Sequence, residues 1–131
     1  MKSRHELRES VFKILFQVEN TDLDYRELLE FEVDDVSGSE YVTRTLDDIF
    51  GKKEQIDEII SNNLKGWKLE RLSKMDRQIL RISTYEILFT DIPYKVSINE
   101  AVELSKKYSE KDDSYKFING VLKGIVETST K

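Results

Sequence analysis

Apolar side chains return every three or four residues along nearly all of this chain, and a single proline, Pro93, stands among its 131 residues. That spacing matches the ~3.6-residue turn of an α-helix, so each return adds to the same helical face. A loop-rich β-fold draws heavily on glycine and proline for its turns. This chain offers five glycines and that one proline. The reading is therefore all-α. A chain of this length suits one domain, 1–131, with one or two small cores.

The first helix is predicted from Arg4 to Asn20, with Leu7, Val11, Ile14, Leu15 and Val18 on one stripe. Phe12 and Phe16 fall one turn apart toward the opposite face, either against a second core or toward a partner. A short helix over Leu23–Phe31 follows, then an acidic loop over Val33–Ser39 that ends Ser-Gly-Ser. Glu40–Leu64 carries one long helical pattern that Gly51 is placed to bend or break. Gly66 reads as a C-terminal cap and Trp67 as a core anchor behind it. Residues 74–89 are apolar on nearly all sides and should form the central, most buried helix, ended by Asp91-Ile92-Pro93. A helix from Ile98 to Tyr108 comes next. The last starts near Tyr115, with Ile118, Val121, Leu122 and Ile125 on its stripe. Three helix starts carry a capping box or its Asp variant: Ser3-Arg4-His5-Glu6, Ser73-Lys74-Met75-Asp76 and Ser97-Ile98-Asn99-Glu100. In each, the serine hydroxyl can accept from a free helix N–H, and Val96 and Ala101 would staple the third.

Several kinds of chemistry are excluded by residue type. With no cysteine there is no disulfide, thiolate nucleophile or thiolate metal site, and with His5 the only histidine there is no histidine triad or metal cluster. Acid pairs such as Asp34-Asp35, Asp47-Asp48 and Asp112-Asp113 read as solvated surface in a chain that is 36% charged. There is no glycine-rich phosphate loop. The expectation is a protein without enzyme activity, metal or cofactor. No apolar run reaches the length of a membrane span, and charges recur through Met1–Glu9 where a signal peptide would be apolar, so a cytoplasmic setting is expected.

The net charge of −5 is unevenly spread. Residues 19–48 hold 11 acids against Arg26 and Arg44, while residues 1–18 and 49–131 are each +2. The basic start, Lys2, Arg4, His5 and Arg8, is on charge alone a solvated helix end. Yet cations sit unfavourably at the positive end of a helix dipole, and the free N–H groups there attract phosphate. On the last helix Phe117 lies about a quarter-turn from the apolar stripe, beside Lys116 and near Gly120 and Gly124. An edge aromatic next to a lysine suits stacking on an unpaired base. It equally suits packing at a rim, with the glycines admitting a neighbouring helix.

Three runs resemble the NusB family in order and spacing: Arg71 to Leu88 (RLSKMDRQILRISTYEIL), Asp91 to Leu104 (DIPYKVSINEAVEL) and Lys116 to Leu122 (KFINGVL). They cover the C-terminal half, and the first helix and overall length also fit. The resemblance implies a compact all-α domain of two small helical bundles and a role in bacterial transcription antitermination, notably of ribosomal RNA operons. Such proteins bind a single-stranded RNA element, boxA, together with a small-subunit ribosomal protein acting as NusE. The pair then joins RNA polymerase and other Nus factors. It implies RNA contacts from Lys2, Arg4, His5, Arg8, Lys116 and Phe117, and a protein-partner surface that includes Phe16 and Asp76. Asp113 falls where family members tune the affinity of the complex. The basic start departs from the dense arginine run of many relatives, with His5 and Glu6 interrupting it.

Two other functions fit the same fold. One is a helical adaptor without direct RNA binding, which the acidic stretch 19–48 favours. The other is a detached NusB-like domain of a ribosomal-RNA methyltransferase. Against it, no Rossmann-like βα pattern follows, and the chain's start and short tail read as complete.

Overall fold

The computed structural model describes residues 2–21, 23–33 and 36–129; among them lie seven α-helices, one short 3-10 turn and no strand. The chain divides into two compact units, Met1–Gly51 and Lys52–Lys131.

The first unit packs three helices pairwise: α1 (Arg4–Asn20), α2 (Tyr25–Glu32) and α3 (Val36–Gly51). The box predicted at Ser3 forms in full. Ser3 Oγ accepts from the Glu6 N–H at 3.2 Å, and Glu6 Oε1 accepts from the Ser3 N–H at 3.0 Å. These bonds, the one from the Ser3 backbone foremost, hold the Glu6 carboxyl below its ordinary value. Leu7, Val11, Ile14 and Leu15 are buried as their stripe requires. Phe12 is buried too, so it belongs to the core; Phe16 is half-buried. The short helix starts at Tyr25 rather than Leu23 because Asp24 caps it, accepting from the Arg26 N–H at 3.0 Å.

The loop expected over Val33–Ser39 is shorter than its composition suggested. Val36 opens α3, and Ser37-Gly38-Ser39 are helical, with Gly38 buried. Serine and glycine are tolerated in a first turn, whose N–H groups lack intrahelical partners in any case. The pair Asp34-Asp35 lies outside the described residues. The pattern over Glu40–Leu64 breaks after Gly51, at Lys52 with φ −113° and ψ 12°.

The second unit holds α4 (Lys53–Asn62), the 3-10 turn Leu69–Arg71, α5 (Lys74–Phe89), α6 (Tyr94–Tyr108) and α7 (Ser114–Ser129). As predicted, α5 is central: it packs against α4, α6 and α7 and is buried without interruption from Gln78 to Glu86. Two of its buried charged residues are satisfied by neighbouring helices, while the buried Thr84 hydroxyl has no hydrogen-bond partner among the described residues. Arg81 donates from Nε and a terminal nitrogen to the two Asp57 oxygens of α4, at 2.8 and 3.1 Å. Glu86 Oε1 accepts from Ser97 Oγ of α6 at 2.9 Å.

That last bond overturns the third capping box. Ser97 is fully buried within α6, which begins one turn earlier at Tyr94 with Pro93 at its N-cap. Proline is suited to a helix start, where its missing N–H costs nothing and its φ, here −57°, is already near-helical. Val96 is left exposed, so no staple forms. Two expectations near residue 66 also fail. Asn63, not Gly66, caps α4, while Gly66 takes φ +76° three residues beyond. Trp67 is no core anchor, being 59% exposed; the apolar anchor of this stretch is the buried Leu69.

Candidate nucleic-acid interface

In the first unit, the basic residues singled out from sequence are not equivalent. Arg4 is exposed, its guanidinium carbon 4.0 Å from the centre of the Tyr41 ring of α3. A cation–π contact of this kind fixes the group's position without neutralising its charge. His5 is exposed as well. Lys2 is half-buried, and its ammonium donates to the Glu32 carbonyl and to Ser10 Oγ, so α2 and α1 already hold it. Arg8 is 5% exposed, which removes its guanidinium from direct reach of a phosphate. The expected four-residue cluster is therefore two exposed groups, Arg4 and His5, backed by two whose side chains the unit takes up.

In the second unit, four of the predicted residues come together. Asp76, Asp113, Lys116 and Phe117 line one open cleft of about 350 Å³ with Trp67, Arg71 and Lys111. Local structure explains each placement. Ser73 caps α5, accepting from the Asp76 N–H at 3.1 Å, which puts Asp76 in the first turn. The Asp76 carboxylate does not reach back in a box. Its Oδ1 accepts from Ser109 Oγ at 2.7 Å, tying the start of α5 to the end of α6. The turn over 111–114 is closed by the Ser114 N–H on the Lys111 carbonyl at 3.2 Å. Lys116 and Phe117 thus fall in the first turn of α7, with the Lys116 N–H donating to the Asp113 carbonyl at 3.0 Å. Ile118, next in sequence, is fully buried; its packing sets the rotation of α7 that leaves Phe117 half-exposed and Lys116 exposed.

The glycines of α7 divide. A Cβ on Gly124 would lie 2.9 Å from Asn63 Oδ1, so Gly124 admits a neighbour from the end of α4. A Cβ on Gly120 would meet nothing within 4 Å, so no close approach explains that glycine. Trp67, Arg71 and Lys111 were missed as site residues. No local signal separated Trp67 from a core residue, since Leu69 beside it is flanked by Lys68 and Glu70 and is buried.

Among the described residues no three or more histidine, cysteine or carboxylate side chains are grouped to hold a metal ion, and no helix is long and apolar enough to cross a membrane. The arrangement offers binding chemistry: ring faces, cations and carboxylates on a rigid helical frame.

Comparison with known proteins identifies the family. Residues 5–127 match the NusB family. A transcription antitermination protein NusB from Macrococcus caseolyticus is 44% identical over 127 residues, covering 95% of this chain and 97% of its own length. The solved T. maritima NusB superposes with a TM-score of 0.88 at 41% identity, covering 97% of this chain and 93% of that one. A crystal structure of the antitermination factors NusB and NusE in complex with dsRNA matches with a TM-score of 0.82 at 26% identity, over 95% of this chain and 96% of that one. On the family match and on identity over nearly the whole length, the chain belongs to the NusB family.

Proposed function

We propose that this chain is a transcription antitermination factor that binds boxA-type RNA jointly with a small-subunit ribosomal protein acting as NusE. The pair then engages RNA polymerase with other Nus factors, notably on ribosomal RNA operons. Its mode of action is regulatory and by binding alone, without catalysis or cofactor, in the cytoplasm, with 1–131 acting as one domain. The observation that carries the reading is the cleft in which Lys116 and Phe117 meet Asp76 and Asp113. Phe117 offers a ring face and Lys116 a charge, the two contacts an unpaired nucleotide needs. In the first unit, Arg4 and His5 supply further phosphate contacts.

The strand state of the RNA is the finer part of the proposal. A half-exposed phenylalanine can stack only on a base that is not already stacked within a duplex, which supports a single strand. Contacts to the protein partner come from Phe16 in the first unit and, separately, from Asp76 and Asp113 in the second. Asp76 is 9% exposed and bonded to Ser109, so its part is to hold the α5–α6 junction in shape for the partner. Asp76→Lys should weaken binding of the ribosomal partner and lower thermal stability, whereas Phe16→Ala should weaken binding with a smaller thermal shift. Unchanged partner affinity in folded variants of both removes the assignment.

The deciding experiment titrates boxA-type RNA, single-stranded and as a duplex, into the chain with and without the ribosomal partner at several salt concentrations. The proposal expects weak single-strand binding by the chain alone, since the net charge is −5, and a marked gain when the partner is added. Binding must weaken as salt rises. Absence of RNA binding under all conditions would instead support the adaptor reading.

A further inference from the structure

We propose that Trp67 is a second stacking surface for an unpaired RNA base, facing the cleft that holds Lys116 and Phe117; this rests on the RNA reading above and extends it. Trp67 is the most exposed of the large apolar side chains, at 59%. An indole left in water forgoes the hydrophobic gain that a core position would give it and keeps its ring available to a partner. The backbone presents it firmly. Gly66 precedes it at φ +76°, a conformation that favours glycine, and this left-handed residue redirects the chain after α4. After Trp67 the 3-10 turn closes at once, with the Arg71 N–H on the Lys68 carbonyl at 2.9 Å and the Leu72 N–H on the Leu69 carbonyl at 3.2 Å. Leu69 is buried and anchors that turn. Trp67 thus stands between a fixed bend and a fixed turn, with its ring outward.

The surroundings select the occupant. Trp67 and Phe117 line the same cleft, so it offers two aromatic faces. Stacking on such faces accepts any base and does not depend on a particular hydrogen-bond pattern. Around Trp67 the segment Lys65–Arg71 carries Lys65, Lys68 and Arg71 against the single acid Glu70, a local excess of two positive charges in a chain whose net charge is −5. The cleft lining adds Lys111 and Lys116 as cations and Asp76, Glu110 and Asp113 as acids. The carboxylate of Asp113 is exposed beside them and repels phosphate, but it accepts from the N–H edge of a base. This combination orients a nucleotide with its base toward the rings and its phosphates toward the lysines. A single strand supplies a flat base for the rings and a phosphate for the cations in one repeating unit, which a polypeptide does not.

Trp67 is the only tryptophan, so its fluorescence reports on this site alone. A boxA-type single strand, labelled at one end, is titrated into the chain at low salt while RNA anisotropy and tryptophan emission are followed together. The expected result is a change in Trp67 emission with the same midpoint as the anisotropy. Trp67→Ala should weaken RNA binding by about 5- to 100-fold, with little change in its salt dependence, and Trp67→Phe should retain most of the affinity. RNA binding without any change in emission, together with parental affinity in Trp67→Ala, would overturn the proposal and leave the RNA reading intact. Loss of ribosomal-partner binding in Trp67→Ala, with RNA affinity unchanged, would overturn it in favour of a protein contact. No RNA binding by the parent, with or without the partner, would defeat the RNA reading and the proposal with it. The emission measurement uses the unmodified chain, so the test does not depend on a variant's folding.

Discussion

The two units hold their charges in different ways. In the first, one ion pair between described helices is Arg26–Asp47, at 3.4 Å with side chains 61% and 46% exposed. In the second, Arg81–Asp57 joins α5 to α4 by two bonds at 2.8 and 3.1 Å, with side chains 9% and 24% exposed. Solvent screens the former, and such pairs contribute little; the latter is enclosed, and removing one partner strands the other. The same contrast holds for the candidate binding residues of each unit. The first unit takes up Lys2 and Arg8 into its own structure and leaves Arg4 and His5 outside. The second unit uses buried polar bonds as a frame and keeps a cleft of rings and lysines open. A basic residue in the sequence is therefore no guide to a phosphate contact until its burial is known.

The largest effect that would sharpen this contrast is on stability. Arg81→Ala should cost about 3–5 kcal/mol, because Asp57 would remain part-buried without its partner. Arg26→Ala should cost less than about 1 kcal/mol. Denaturant unfolding of the two variants measures both, and equal costs would break the comparison. Next come the phosphate contacts. Lys116→Ala and Arg4→Ala should each flatten the salt dependence of single-strand binding by a slope of about 0.7, whereas Arg8→Ala should leave the slope close to that of the parent. The smallest effect is a pH dependence at Glu6. Its folded pKa is lowered, so the capping box adds stability above the unfolded value near 4.5 that is lost as pH falls through the folded pKa. Glu6→Gln should remove that acid-side dependence; amide exchange in the first turn of α1 across this range would record it.

Local signals in the sequence carried much of the fold. Both ends of α1 were legible because Ser3 and Glu6 form a self-contained box and the apolar stripe runs the full length between the ends. The centrality of α5 followed from apolar residues on all its sides. The start of α6 did not, because a serine that caps a helix and one buried within it look alike in sequence. Only Glu86, 11 residues away and on another helix, decides that Ser97 is the second kind. Trp67 failed for a similar reason: its size suggested a core position, but the bend at Gly66 and the anchoring of Leu69 leave it outside. Within the site, Lys116 and Phe117 were visible as an edge pair on the last helix. Their grouping with Asp76, Arg71 and Trp67 depends on packing of α5, the 3-10 turn and α7, which no spacing encodes.

The central claim is that the second unit's cleft holds an unpaired base, and Phe117→Ala tests it most directly. RNA affinity of parent and variant is measured across a salt series, with circular dichroism and thermal melting to confirm the fold. Loss of stacking should weaken binding by about 1–3 kcal/mol, with the two salt plots parallel. A folded Phe117→Ala variant that binds single-stranded RNA as tightly as the parent would contradict the account and leave Phe117 a rim residue of α7.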